Sequence, residues 1–155
     1  MKFEVPLVKA RLIRRYKRFL ADVELADGSL AVAHCANSGS MMGVMDPGST
    51  VWLSPNQNPK AKLDWRWEMI EVDGGLVGIN TSRPNRIVEE AINGDRIPEL
   101  TGYANLRREV KYGKNSRIDL LLEGPTAGGP GKCYVPQICY VEVKNVTLMR
   151  QARAE

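Results

Sequence analysis

A single histidine, His34, and three cysteines, Cys35, Cys133 and Cys139, supply all the imidazole and thiol metal-ligand chemistry in 155 residues. No C-x-x-C pair and no Cys/His pair at finger spacing occurs, and a single histidine excludes H-E-x-x-H zincins and most His-rich metal centres. An odd number of cysteines, in a chain long enough to bury a core without covalent staples, points to reduced thiols. Long apolar runs are missing too. The stretch Ile118 to Leu122 is broken by Asp119 and falls far short of the roughly 20 residues that cross a bilayer, so no membrane partner is expected. Met1 to Pro6 contains Lys2 and Glu4 and no uninterrupted apolar segment of about 7 to 15 residues, which predicts a cytoplasmic protein. Aromatic residues make up only 6% of the chain. Trp52, Trp65 and Trp67 are therefore read first as core, and only second as platforms for stacking bases.

Charge is present but unevenly placed. Between Lys2 and Arg18, seven cations (Lys2, Lys9, Arg11, Arg14, Arg15, Lys17 and Arg18) face Glu4 alone, in a chain whose net charge is only +4. The remainder is therefore slightly acidic. Such asymmetry predicts a local surface for a polyanion, because phosphate neutralisation supplies most sequence-independent nucleic-acid affinity. Arg11, Arg14, Arg15, Lys17 and Arg18 are the candidate DNA-binding residues. The competing reading is a solvated strand edge whose cations prevent aggregation.

The first half reads as strands. In Phe19 to Leu25, Ala21, Val23 and Leu25 alternate with Asp22 and Glu24; Asp27-Gly28 signals a hairpin, and Leu30 to Cys35 alternates on the return. Thr50 to Leu53 follows as a short strand, then Trp65 to Val72 and Leu76 to Asn80 joined through Asp73-Gly74-Gly75. Short strands with a basic N-terminal run suggest a small antiparallel barrel of OB type, or equally a sandwich. Near Thr81 the character changes, giving expected domains at 1–81 and 82–155. Pro84 suits a first helical turn, with Ile87, Val88, Ala91 and Ile92 at helical spacing up to Gly94. A second helix is expected from Pro98 to Lys111, carrying Leu100, Tyr103, Leu106 and Val110 on one face. Arg117 to Leu122 and Ile138 to Val143 read as apolar strands of a helix-covered sheet. The glycine-rich segment Gly124 to Lys132 between them fails the phosphate-loop pattern, having Thr126 and Cys133 where glycine and a hydroxyl are required. It is expected to be a surface loop.

Acidic residues on two such strands are costly unless their charge is compensated, and a divalent cation would do so. Glu142 and Lys144 share a strand face. If Asp119 lies on the neighbouring strand and faces the same side, two carboxylates and an ammonium meet. Asp119 and Glu142 are thus the candidate ligands for Mg²⁺, whose retained waters can attack a phosphodiester. Lys144 would offset charge in the transition state. Glu109 could add a third carboxylate from the expected second helix. The competing reading of Glu142 and Lys144 is a surface ion pair worth roughly 0 to 1 kcal/mol.

Several blocks then line up in order: Arg15-Tyr16-Lys17-Arg18-Phe19-Leu20-Ala21-Asp22-Val23; His34-Cys35-Ala36-Asn37-Ser38-Gly39; Trp67-Glu68; Asn80-Thr81 with Asn85-Arg86; Glu109 to Gly113 with Ser116 to Asp119; and Glu142 to Leu148. Together they resemble the sugar fermentation stimulation protein A family over almost the whole chain. The resemblance implies an N-terminal OB-like antiparallel barrel followed by a restriction-endonuclease-like PD-(D/E)XK α/β domain, here partial because family members continue beyond the Thr147-Leu148 motif. It also implies non-specific DNA binding, a regulatory role in sugar metabolism, and nuclease-type positions at Glu109, Asp119, Glu142 and Lys144. Gly124 to Cys139 is longer than the tight connection expected between the acidic strands.

Overall fold

The computed structural model describes residues 2–124 and 137–147. It divides into two compact units, one of Lys2–Thr81 joined by Val146 and Thr147, the other of Ser82–Asn145.

The first unit is a closed five-stranded barrel. Strands β1 (Val8–Tyr16), β2 (Leu20–Leu25) and β3 (Leu30–His34) form an antiparallel meander, and β4 (Thr50–Pro55) pairs with both β1 and β5 (Trp65–Val72). A parallel pairing of β3 with β5, Ala33↔Trp65 and His34↔Arg66, closes the ring. That order is the OB arrangement rather than a sandwich. A short β6 (Gly75–Gly78) extends β5 as a hairpin. Its turn, Asp73-Gly74, has both residues at positive φ, as a two-residue hairpin connection demands.

Alternation decides what enters the barrel. Ala21 and Val23 of β2, Ala33 of β3, Val51 and Leu53 of β4, and Trp67 and Ile70 of β5 are fully buried. Met41 and Val44, from the β3–β4 connection, join the same core. Of the three tryptophans, Trp67 is core with its indole N–H donated to the Met69 carbonyl at 3.0 Å, and Trp65 packs against that core. A buried carboxylate, Glu68, is satisfied from two sides: Ser54 Oγ donates to Oε1 at 2.7 Å and Asn80 Nδ2 to Oε2 at 2.9 Å. Hydrogen bonds of this kind are what make burying a charge tolerable.

One irregularity matters for the outer surface. The β1–β2 register shifts between Leu12 and Arg14. With one extra residue in β1, Arg11 and Arg14 both oppose outward-facing acids, Glu24 and Asp22, although they are three apart.

The second unit begins with α1 (Pro84–Asn93), which has proline in its first turn and ends at Gly94. An antiparallel sheet follows, β7 (Asn105–Tyr112), β8 (Ser116–Gly124) and β9 (Gln137–Val141), in the order β7-β8-β9. Ile92 of α1 packs on Leu120 and Leu122, with Val88, Leu106, Cys139, Val141 and Val143 around them. The helix expected from Pro98 to Lys111 is not there. Pro98–Leu100 makes only a short 3₁₀ turn and Asn105–Tyr112 is a strand. Leu106 and Val110, four apart, suit either period, and their partners decide: Leu106 lies opposite Leu122 and Val110 opposite Ile118. Long-range pairing overrides local periodicity here. Glu109 therefore sits in β7. The glycine-rich loop lies outside the described residues.

Candidate functional site

The candidate residues singled out in the sequence lie on two surfaces, one in each unit.

On the barrel, the five basic candidates have three different fates. Arg11 pairs with Glu24, and Arg14 Nε donates to Asp22 at 2.7 Å while its guanidinium lies 5.0 Å from the Tyr16 ring centroid. Tyr16 also hydrogen-bonds Asp22, which pushes its phenol above the usual range. Arg15 turns to the barrel end. Its guanidinium donates to the carbonyls of Arg18 at 3.0 Å, Asn37 at 2.7 Å and Gly39 at 3.1 Å, stitching the β1–β2 turn to the segment after β3. Lys17 and Arg18 form that turn, are exposed, and make no ion pair among the described residues. Sequence counting treated all five cations alike. Pairing leaves Lys17 and Arg18 with uncompensated charge, whereas Arg11 and Arg14 hold theirs against a carboxylate.

Phe19 and His34 stand within the quoted sequence blocks but are not among the candidate site residues. Phe19 is 47% exposed beside the two turn cations, and its ring stacks on His34 with centroids 6.4 Å apart and planes 18° apart. Phe19 directly after Lys17-Arg18 was the signal available.

In the second unit, the β8–β9 ladder runs to Leu120↔Val141, so Asp119 and Glu142 stand one step beyond its last pair; β9 ends at Val141, so Glu142 and Lys144 follow the strand instead of sharing a strand face as expected. Both oxygens of Asp119 are engaged: Asn85 Nδ2 donates to Oδ1 at 2.9 Å, and the Val143 backbone N–H donates to Oδ2 at 2.8 Å. Asn85 Nδ2 also lies 3.4 Å from Glu109 Oε1. Glu109 has a left-handed φ of 53° inside β7, and the β7–β8 register runs unshifted through Arg108↔Leu120 and Val110↔Ile118, with Glu109 and Asp119 between those pairs. Lys144 Nζ pairs with Glu142 Oε1. That carboxylate, with a smaller contribution from Asp119, holds the ammonium pKa above its usual value. Thus Asp119 is tied by Asn85 to Glu109 and by charge to Lys144, while Glu142 reaches Lys144. Asn85, at the start of α1, is the residue that sequence reasoning left without a role. Among the described residues, no three His, Cys, Asp or Glu side chains gather to hold a metal ion. The donor set is nonetheless hard oxygen, the type that suits Mg²⁺ or Ca²⁺ completed by water.

Comparison with known proteins identifies the family. A family model described as the SfsA N-terminal OB domain matches residues 13–79, and one described as the sugar fermentation stimulation protein RE domain matches 82–155. The sugar fermentation stimulation protein homolog of Rhodospirillum centenum is 60% identical over 153 residues, which cover 99% of this chain and 62% of that one. The homolog of Paramagnetospirillum magneticum is 57% identical over 155 residues, covering 100% of this chain and 62% of the relative. The chain thus spans about three fifths of these relatives' length. Among solved structures, one titled as Pyrococcus furiosus SfsA in complex with Ca²⁺ superposes with a TM-score of 0.69 at 28% identity, covering 79% of this chain and 51% of that chain.

Proposed function

This chain belongs to the sugar fermentation stimulation protein family, and on that premise we propose that it is a non-specific DNA-binding protein whose second unit carries a site for Mg²⁺-dependent phosphodiester chemistry. The observation that carries the enzymatic part is the placement of Asp119 and Glu142 at one end of the β8–β9 ladder, with Lys144 paired to Glu142. Asp119 and Glu142 would hold the cation, and Ca²⁺, named for the archaeal relative, is a cation of the same hard class. When bound, such an ion supplies Lewis acidity and a water of lowered pKa. Asn85 and the Val143 N–H orient the Asp119 carboxylate. Lys144, kept protonated by Glu142, offsets charge developing on a phosphate oxygen. On the barrel, Lys17 and Arg18 contact the phosphate backbone, and a role in regulating sugar metabolism, as the relatives' name suggests, fits such a binder.

A second reading has its own support. Both oxygens of Asp119 already accept hydrogen bonds, which suits a purely structural carboxylate in a DNA-binding regulator without hydrolysis. Incubating the chain with supercoiled plasmid and Mg²⁺ or Mn²⁺ separates the two. The enzymatic reading expects nicking that Asp119→Ala abolishes. DNA binding without any nicking leaves the regulator.

A further inference from the structure

The β1–β2 turn of the barrel is built at some cost. Lys17 and Arg18 are consecutive non-glycine residues at φ of 48° and 63°, a left-handed conformation that L side chains disfavour and that persists only where surrounding contacts enforce it. Those contacts are present. Arg15 Nε donates to the Arg18 carbonyl, the Phe19 N–H to the Lys17 carbonyl at 2.8 Å, and the Cys35 N–H to the Phe19 carbonyl at 2.8 Å. The result is a fixed turn that presents two cations and a half-exposed phenyl ring at the barrel rim. His34, opposite Leu20 in the β2–β3 ladder and beside Arg66 in the β3–β5 pairing, carries the second ring. From there the outer surface continues down β3 through Val32 to Leu30, which is 75% exposed. A cavity of about 490 Å³ lies along that path, lined by Ile13, Arg14, Asp22, Leu30, Ala31 and Val32.

We propose that the Phe19–His34 pair is a base-stacking site, flanked by Lys17, Arg18 and Arg66 for the phosphates, and that the barrel binds single-stranded nucleic acid across β3 in preference to duplex. The proposal rests on the DNA-binding reading above and names its substrate class. Cations alone serve either strand form, because phosphates are presented by both. An exposed aromatic face serves only unpaired bases, whose π-surfaces are not covered by neighbouring base pairs, and such stacking is tolerant of sequence. Apolar Val32 and Leu30, on the outer surface of β3, lie where further bases of a splayed strand would pass.

Fluorescence anisotropy with a labelled oligothymidine and with a duplex of equal length tests this on the whole chain. The wild type binds the single strand more tightly. Phe19→Ala weakens single-strand binding roughly tenfold, the scale of one lost base stack, and leaves duplex binding within about twofold, while Phe19→Trp restores the single-strand affinity. Because Phe19 is half exposed, the barrel stays folded, which far-UV circular dichroism verifies. Equal loss for both strand forms, or no loss in Phe19→Ala while Lys17→Ala/Arg18→Ala weakens both, overturns the stacking site and leaves general DNA binding intact. Failure of the wild type to bind either strand form overturns the DNA-binding reading itself.

Discussion

The barrel closes on itself through Ala33↔Trp65, whereas the three-stranded sheet of the second unit ends, among the described residues, in β7 and β9 as edge strands. Closure changes where function can sit. In the barrel the five strands pair around a closed ring and the interior is filled by Leu12, Val23, Leu53, Trp67 and Ile70, so chemistry is left to turns and outward-facing rows. In the open sheet a polar cluster can stand where a ladder ends. Asp119 does so, capturing the Val143 N–H that follows the last β9 pair. The lesson is that cations gain exposure from a rigid rim, while carboxylates gain their partners from a frayed one.

Core substitutions sharpen this contrast most strongly. Trp67→Ala empties the centre of the barrel and should cost about 3–5 kcal/mol, read as a lowered urea midpoint. Leu122→Ala, in the smaller core with Ile92 and Leu120, should cost about 2–4 kcal/mol, read by far-UV circular dichroism. Ser54→Ala removes one of the donors to buried Glu68 and should cost about 1–2 kcal/mol, detected by the same denaturation.

On the outer surface the effects are smaller and lie in binding. Lys17→Ala/Arg18→Ala should flatten the salt dependence of DNA affinity by about two units of slope, whereas Arg11→Ala/Arg14→Ala, whose charges are already met by Glu24 and Asp22, should change it less. Equal effects would mean the ion pairs open on binding. The smallest expected effect is on pH. Burial pushes the Cys35 thiol above its ordinary value, against a smaller opposite influence of Arg15. Its pKa is thus higher folded than unfolded, so its contribution is complete below the unfolded pKa and is lost as pH rises through the folded one. Cys35→Ala should therefore reduce the alkaline loss of stability, compared by urea midpoints at neutral and alkaline pH.

How much of this could be read in the residues follows from how local each signal is. The β2–β3 hairpin was legible because Ala21, Val23 and Leu25 alternate cleanly and Asp27-Gly28 marks the turn; Ser29 closes it by donating to Asp27 Oδ1 at 3.0 Å. Helix α1 was legible from Pro84, its apolar spacing and Gly94. Strand β7 was not, since Leu106 and Val110 satisfy a helical period and only their partners on β8 reveal the strand. Within the candidate sites, the bulge that turns Arg11 and Arg14 to one face and the inward reach of Arg15 depend on register and on distant carbonyls, which no count of charges contains. Asn85 stands in one of the quoted blocks, but its role was not legible because a bridging amide is defined by its partners, Asp119 and Glu109.

The proposed DNA contact through the barrel rim is addressed by one titration. Anisotropy of a labelled DNA fragment against the whole chain, repeated from about 50 to 200 mM salt, should show binding at the lowest salt and a loss of affinity of at least roughly tenfold across the series. Absence of binding at the lowest salt, or an affinity indifferent to salt, contradicts it.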